Sequence, residues 1–310
     1  MIRLDDTTLP NVAEVGGKGL NLIKLTQAGL DVPPGFIVKT KYFARSVDGI
    51  LGFDHKIALV DLKNVEMISG EIVQKVMAVE FDKDFKQALE SAFEILGCQH
   101  VAVRSSAVCE DGQNASWAGQ LATELNVQMQ DLEKSIKKCW ASAYSPRALT
   151  YAAQNKVKLS EISVAVVVQK MVDSHVSGVA FSVNPVTKNS DEIVIEAVYG
   201  LGEALVSGVI TPDEYIVKKS DCTDIKATVA TQNKQLKLNN MVTDWVEVPK
   251  GSAEIGKLDL DMLRQLIEAI KSIENYMQCP VDIEWAIENN KLYFTQTRPI
   301  TTIGMTVIKE

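Results

Sequence analysis

Two hydrophobic periods run through the chain, and the switches between them mark its elements. After Val15-Gly16-Gly17-Lys18-Gly19, apolar residues fall at Leu22, Ile23 and Leu25, a helical spacing closed by Gly29. Val32-Pro33-Pro34-Gly35 stops that helix, and Phe36-Ile37-Val38 begins a strand. Residues 50 to 97 are helical and surface-like, with Phe81, Phe85, Leu89 and Phe93 at helical spacing and charges between them. Ser145-Pro146 reads as an N-cap and first residue of a helix through Tyr151. Asp259 opens another, striped by Leu263, Leu266, Ile267, Ile270, Ile273 and Met277 and ended by Pro280.

The strand signals lie between these helices. Val101-Ala102-Val103 is a short buried strand that delivers Arg104 to the mouth of a small-residue loop, and Val164 to Val168 is an apolar run fit for burial on both faces. A turn at Asp173-Ser174 leads to strands at Ser177 to Val183 and Glu192 to Val198. Tyr199-Gly200-Leu201-Gly202-Glu203 is a glycine-rich connection into a short helix; two glycines rather than three make it no dinucleotide fingerprint. Thr211-Pro212-Asp213 is a turn before a strand at Glu214 to Val217, and residues 222 to 250 read as further strands of a small lobe.

The last alternating stretch, Val281 to Ile287 and Leu292 to Pro299, reads as a β-hairpin, and its loop length decides which side chains share a face. A two-residue turn at Asn289-Asn290 pairs Glu288 with Lys291 and sends Glu284 and Gln296 to opposite faces. A three-residue loop, Asn289 to Lys291, pairs Glu288 with Leu292, Glu284 with Gln296 and Asp282 with Arg298, leaving Ile283, Trp285, Ile287 and Tyr293 to pack on the reverse. The second register separates polar from apolar better and is the one expected, either from an odd-length loop or from a β-bulge that restores the same parity. Opposed residues have β-carbons about 5 Å apart, so Glu284 and Gln296 could share a magnesium ion, with Arg298 alongside for a phosphate.

Composition narrows the classes. With 310 residues, 46% hydrophobic and 23% charged, the chain can bury one large core or two lobes. A net charge of -8 argues against a nucleic-acid or anionic-membrane surface. Five widely spaced cysteines suggest neither a disulfide framework nor a zinc site, and no apolar run approaches a membrane span. A cytoplasmic protein is expected.

Two further stretches suit phosphate. Glycines beside Lys18 at a helix start let backbone N–H groups approach an anion, with the helix dipole and the ammonium adding positive charge. It is no Walker A loop, because Val12 stands where its first glycine belongs and Gly19 follows the lysine. Arg104 supplies a bidentate donor at the edge of Asp111 to Gly119, a loop rich in small residues, with Thr123 just beyond. Chain leaving the buried strand at Gln169 can meet a purine edge. Taken singly, each also fits a plain element: a glycine turn with a solvated lysine, a flexible loop with a surface arginine, a polar hairpin face in water.

Together and in order, G-G-K-G with V-P-P-G-F, V-R-S-S-A with E-D and S-W-A-G-Q, G-L-G-E-A-L-V-S-G with T-P-D, and D-I-E-W-A with T-Q-T-R-P-I form a pattern. It resembles the N-terminal ATP-binding domain of the phosphoenolpyruvate synthase and pyruvate phosphate dikinase family, which includes rifampicin phosphotransferase, over residues 10 to 302. The resemblance implies an α+β, two-lobed ATP-grasp-like fold with ATP in the cleft between lobes. The lobes are expected at residues 1–200, with the phosphate loops and adenine-side strand, and 201–310, with the magnesium and phosphate hairpin. It further implies that Lys18, Arg104 and Arg298 act on the phosphates, that Gly119 and Thr123 are loop contacts to the triphosphate, and that Gln169 lies beside the adenine. Glu284 and Gln296 are implied as Mg²⁺ ligands.

In such relatives ATP is split to AMP and phosphate, and a histidine on a separate swivelling domain carries the β-phosphoryl group. This chain has neither a T-S-H-type histidine segment nor a carbonyl-substrate barrel, so a phosphohistidine-carrier domain or subunit, with its acceptor-binding domain, is expected as partner. A self-contained small-molecule kinase and a non-catalytic nucleotide-binding module are the alternatives.

Overall fold

The apolar run at Val164 becomes the middle strand of a sheet. In the computed structural model, which describes residues 1–51, 63–108, 111–112, 115–116, 121–155, 157–158, 162–239 and 242–300, the elements follow in this order: β1 (Ile2–Arg3), α1 (Val12–Gln27), β2 (Gly35–Val38), α2 (Thr40–Leu51), α3 (Val65–Met77), α4 (Lys83–Leu96), β3 (Val101–Ala107), β4 (Asp111–Gly112), β5 (Ala115–Ser116), β6 (Thr123–Val127), α5 (Met129–Ser142), α6 (Pro146–Gln154), β7 (Val164–Lys170), β8 (Val176–Phe181), β9 (Glu192–Tyr199), α7 (Glu203–Val206), β10 (Asp213–Lys218), β11 (Ile225–Thr228), β12 (Lys234–Asn239), β13 (Val242–Glu247), α8 (Leu260–Met277), β14 (Val281–Glu288) and β15 (Lys291–Pro299). The paired strands run antiparallel and the helices are segregated from them, so the fold is α+β.

Two compact units divide the chain, Met1–Lys24 with Pro34–Met171, and Leu25–Pro33 with Val172–Glu310. The expected boundary at 200/201 therefore falls earlier, at Met171/Val172. The reason is long-range pairing: β8 and β9 hydrogen-bond to β14 and β10, which come later in the chain.

The first unit holds a five-stranded sheet in the order β1-β2-β7-β3-β6. Alternation sends Phe36, Val38, Val101, Val103, Val164, Val166 and Val168 to one face, where they join Phe43, Phe85, Leu89, Trp140 and other residues of α2 to α6 in a single core. Within the predicted helical region, Phe81 precedes α4, whose N-cap Asp82 accepts from Phe85 N–H; Ser145 caps α6 as expected.

The second unit holds a six-stranded sheet, β11-β10-β9-β8-β14-β15, backed on its apolar face by α8. Asp259 caps α8, and Leu263, Leu266, Ile267, Ile270 and Ile273 are buried. Of the expected small lobe at 222–250, β11 instead joins this sheet, while β12 and β13 pair as a hairpin of their own.

The β14–β15 hairpin corrects one expectation and keeps its consequence. The turn has two residues, Asn289-Asn290, both at positive φ (51 and 59), and Glu288 pairs with Lys291. The three-residue loop is not formed. Parity is restored farther along, where Trp285 pairs with Phe294 and Glu284 with Gln296, so that Thr295 is the extra residue of a β-bulge. Before the bulge, Leu292 and Phe294 share the core face with Ile287 and Trp285, and Tyr293 does not. Its ring lies instead under the Lys291 ammonium, 5.2 Å from the centroid.

Candidate functional site

In the first unit the glycine turn sits on β3. Gly16 breaks the helical run of α1 with φ 69 and ψ 173, so the helix that carries Lys18 starts afresh at Gly17. A β-carbon at Gly16 would overlap the Ser106 carbonyl, and glycine alone permits both that approach and the positive φ. Lys18 Nζ donates to Ser105 O at 3.2 Å.

Arg104 pairs directly with Thr123 on β6 and with Val167 on β7. Alternation then puts Arg104, Ser106, Thr123 and Gln169 on one sheet face, opposite the helical core. The same face receives α1, since Gly19 lies against Ile37 of β2. Arg104 and Thr123 are thus neighbours on the face against which the helix carrying Lys18 packs. Gln169 is 1% exposed, and beyond it the N–H groups of Lys170 and Met171 already donate to Pro34 O and His100 O. A purine edge would have to use other groups of this strand exit. Gly119 lies outside the described residues.

In the second unit Glu284, Gln296 and Arg298 share a face with Asp282, because Asp282 pairs with Arg298 and Glu284 with Gln296. Ile283, Trp285 and Ile287 are buried on the reverse. Arg298 Nε and a terminal guanidinium nitrogen both donate to Asp282 Oδ2 at 2.6 Å. Burial pushes the Asp282 carboxyl above its ordinary range; Arg298 opposes that rise and Glu284 adds to it. A carboxylate facing an amide oxygen at about 5 Å between β-carbons is an oxygen donor pair suited to a hard divalent cation such as Mg²⁺. Among the described residues no group of three or more His, Cys, Asp or Glu side chains is gathered for a metal.

Sequence reasoning overlooked Glu196. It pairs with Val179, which pairs in turn with Glu284, so it stands two strands from the donor pair on the same face. Burial, then Glu214, then Asp282 raise its carboxyl above the usual range. Its only signal in the sequence is an acid inside the apolar strand Ile193 to Val198.

Comparison with known proteins then decides the family. Residues 12–309 match the AMP/ATP-binding domain of pyruvate phosphate dikinase. The chain belongs to that family. Members of the pyruvate phosphate dikinase family to which it is similar include a probable phosphoenolpyruvate synthase of Methanothermobacter thermautotrophicus, 36% identical over 308 residues, or 95% of this chain and 45% of the relative. A rifampicin phosphotransferase of Bacillus cereus is 36% identical over 93% of this chain and 34% of its own length. The phosphoenolpyruvate synthase of Pyrococcus furiosus is 38% identical over 94% and 42%. The chain thus spans less than half the length of each of these curated relatives. Among solved structures, D-alanyl-alanine synthetase A of Vibrio cholerae overlays with a TM-score of 0.39 at 10% identity, over 94% of this chain and 57% of that one; the family assignment does not rest on this overlay. As a pyruvate phosphate dikinase AMP/ATP-binding domain, the chain has among its described residues no helix long and apolar enough to cross a membrane.

Proposed function

We propose that the chain is the ATP-binding part of a dikinase-type phosphotransferase and binds Mg-ATP. The observation that carries this reading is the opposed pair Glu284 and Gln296, with Arg298 two residues on, in a chain of the pyruvate phosphate dikinase family.

In this reading Glu284 and Gln296 hold Mg²⁺, which supplies charge neutralisation across the phosphate oxygens. Lys18, Arg104 and Arg298 bind the phosphates, and Gly119 and Thr123 contact the triphosphate from the loop. Gln169 lies beside the adenine. Asp282 keeps the Arg298 guanidinium aimed along the polar face through its two hydrogen bonds. Placed cations stabilise the charge that develops during phosphoryl transfer, which is where such donors act most strongly.

The reaction proposed is ATP, water and a histidine going to AMP, inorganic phosphate and a phosphohistidine. The β-phosphoryl group moves to the histidine, and the γ-phosphoryl group leaves to water. The histidine stands on a separate domain or subunit, which also presents the acceptor-binding domain. A reducing, cytoplasmic setting suits the free thiols of Cys98, Cys139, Cys222 and Cys279.

Nucleotide product analysis tests the proposal. AMP formed only in the presence of a histidine-bearing partner supports it. ADP formed together with a phosphorylated small molecule would replace it with a self-contained kinase.

A further inference from the structure

The backbone on either side of Lys18 is bonded to a hydroxyl of β3. Because Gly16 leaves helical geometry, the run that follows has Gly16 at the cap position, Lys18 second in the helix and Gly19 third. A cap residue ordinarily offers a side-chain oxygen to the N–H two or three residues into its helix. Glycine has no such oxygen. Ser106 provides it: Gly19 N–H donates to Ser106 Oγ at 3.0 Å, and the same hydroxyl donates to Val15 O at 2.7 Å. One buried hydroxyl, 0% exposed, therefore ties together the residue before the break and the third residue after it.

The arrangement has no substitute at position 16. Any β-carbon there would collide with the Ser106 carbonyl and hydroxyl, so a serine or aspartate cap in the turn itself would expel β3. Ser105, the neighbour of Ser106 on that strand, accepts from Lys18 Nζ at 3.2 Å. The turn is held at its backbone by Ser106 and at its ammonium by the preceding carbonyl.

We propose that Ser106 is a positioning residue for Lys18, a helix cap supplied in trans that fixes the turn presenting the phosphate-binding amine. The inference rests on the reading of Lys18 as a phosphate ligand, and the experiment separates the two. With the cap removed, the first turn frays and the ammonium spreads over many positions. Affinity for the polyphosphate falls, while contacts to adenosine are untouched.

The test is calorimetric titration of the whole chain, with Mg²⁺, against the β,γ-imido analogue of ATP and against adenosine. Wild type, Ser106→Ala, Lys18→Ala and the double variant are compared. Ser106→Ala is expected to weaken the analogue roughly tenfold, the scale of one lost capping bond, and to leave adenosine within about twofold. In the Lys18→Ala background the same change is expected to shift the analogue by less than about twofold, since the group being positioned is gone.

If Lys18→Ala alone leaves the analogue unchanged, the phosphate reading of Lys18 fails and the inference falls with it. If Lys18→Ala weakens the analogue but the loss from Ser106→Ala adds in full, or falls equally on adenosine, the Lys18 reading stands and the positioning role is overturned. Native-state amide exchange of the unsubstituted chain reads the cap directly should Ser106→Ala not fold. A protected Gly19 N–H is expected, and exchange at the rate of an open first-turn amide would overturn the cap.

Discussion

Glu284 stands opposite Gln296 because a bulge at Thr295 takes up the odd residue, leaving a two-residue turn at Asn289-Asn290. The polar face of the hairpin therefore exists only beyond the bulge, and residues on its near side keep the opposite parity. If the two side chains hold one ion, their contributions are not independent. Glu284→Ala and Gln296→Ala are each expected to lower Mg-dependent ATP turnover by orders of magnitude in a folded chain, and the double variant to fall little below the worse single one. Turnover of the folded double variant within a few-fold of wild type would remove the metal assignment.

Arg104 is set beside Thr123 by direct strand pairing, on the face that receives the glycine turn. An arginine that meets charge growing during transfer acts on the transition state. Arg104→Ala should therefore cost roughly 3 to 4 kcal/mol in kcat, with adenosine affinity preserved. A raised KM at unchanged kcat would show uniform phosphate binding instead.

Gly178 makes room for the strand pairing behind the hairpin. It pairs with Trp285 and Ala197, and a β-carbon there would overlap the Glu196 carbonyl oxygen and lie 2.7 Å from the Trp285 ring. Gly178→Ala should destabilise the chain by about 3 kcal/mol, the upper end for overpacking, and lower the melting temperature by several degrees. An unchanged melting temperature would show that β8 can shift away from β9.

Glu196 gives a pH dependence opposite to that of an ordinary paired carboxylate. Its pKa is raised in the folded chain by burial, by Glu214 and by Asp282, so the folded state holds this proton more tightly than the unfolded state does. Its contribution to stability therefore falls as pH rises from the model-peptide value of 4.5 up through the raised value, and stays low above it. Glu196→Gln removes that loss. The melting temperature of Glu196→Gln relative to wild type should rise between about pH 4 and pH 7, a window set by where free carboxyls titrate; a relative melting temperature that falls over that range would contradict the assignment.

The polar face was legible because Asp282 and Glu284 alternate with Val281, Ile283 and Trp285, while Gln296 and Arg298 keep the same two-residue spacing on the other arm, and such spacing reports parity. The choice between loop and bulge was not, since a three-residue loop and a two-residue turn followed by one bulged residue give the same parity beyond Thr295. The tolerance of Asn289 and Asn290 for positive φ was the available clue to the shorter turn. Helix starts at Ser145 and Asp259 are local hydrogen bonds and could be read in place. The cap on the Lys18 turn could not, because Val15 and Ser106 lie 91 positions apart in the chain. The unit boundary failed for the same reason, with glycines at 200 and 202 marking a turn inside one sheet's neighbourhood and not the end of a lobe.

The fate of each phosphate tests the account most directly. ATP labelled at the β position and, separately, at the γ position is incubated with the chain, Mg²⁺ and a histidine-bearing carrier domain. The expected result is β label in an acid-labile phosphohistidine on the carrier, γ label in inorganic phosphate, and AMP as the nucleotide product. Transfer of γ label to an acceptor with ADP left behind would contradict it.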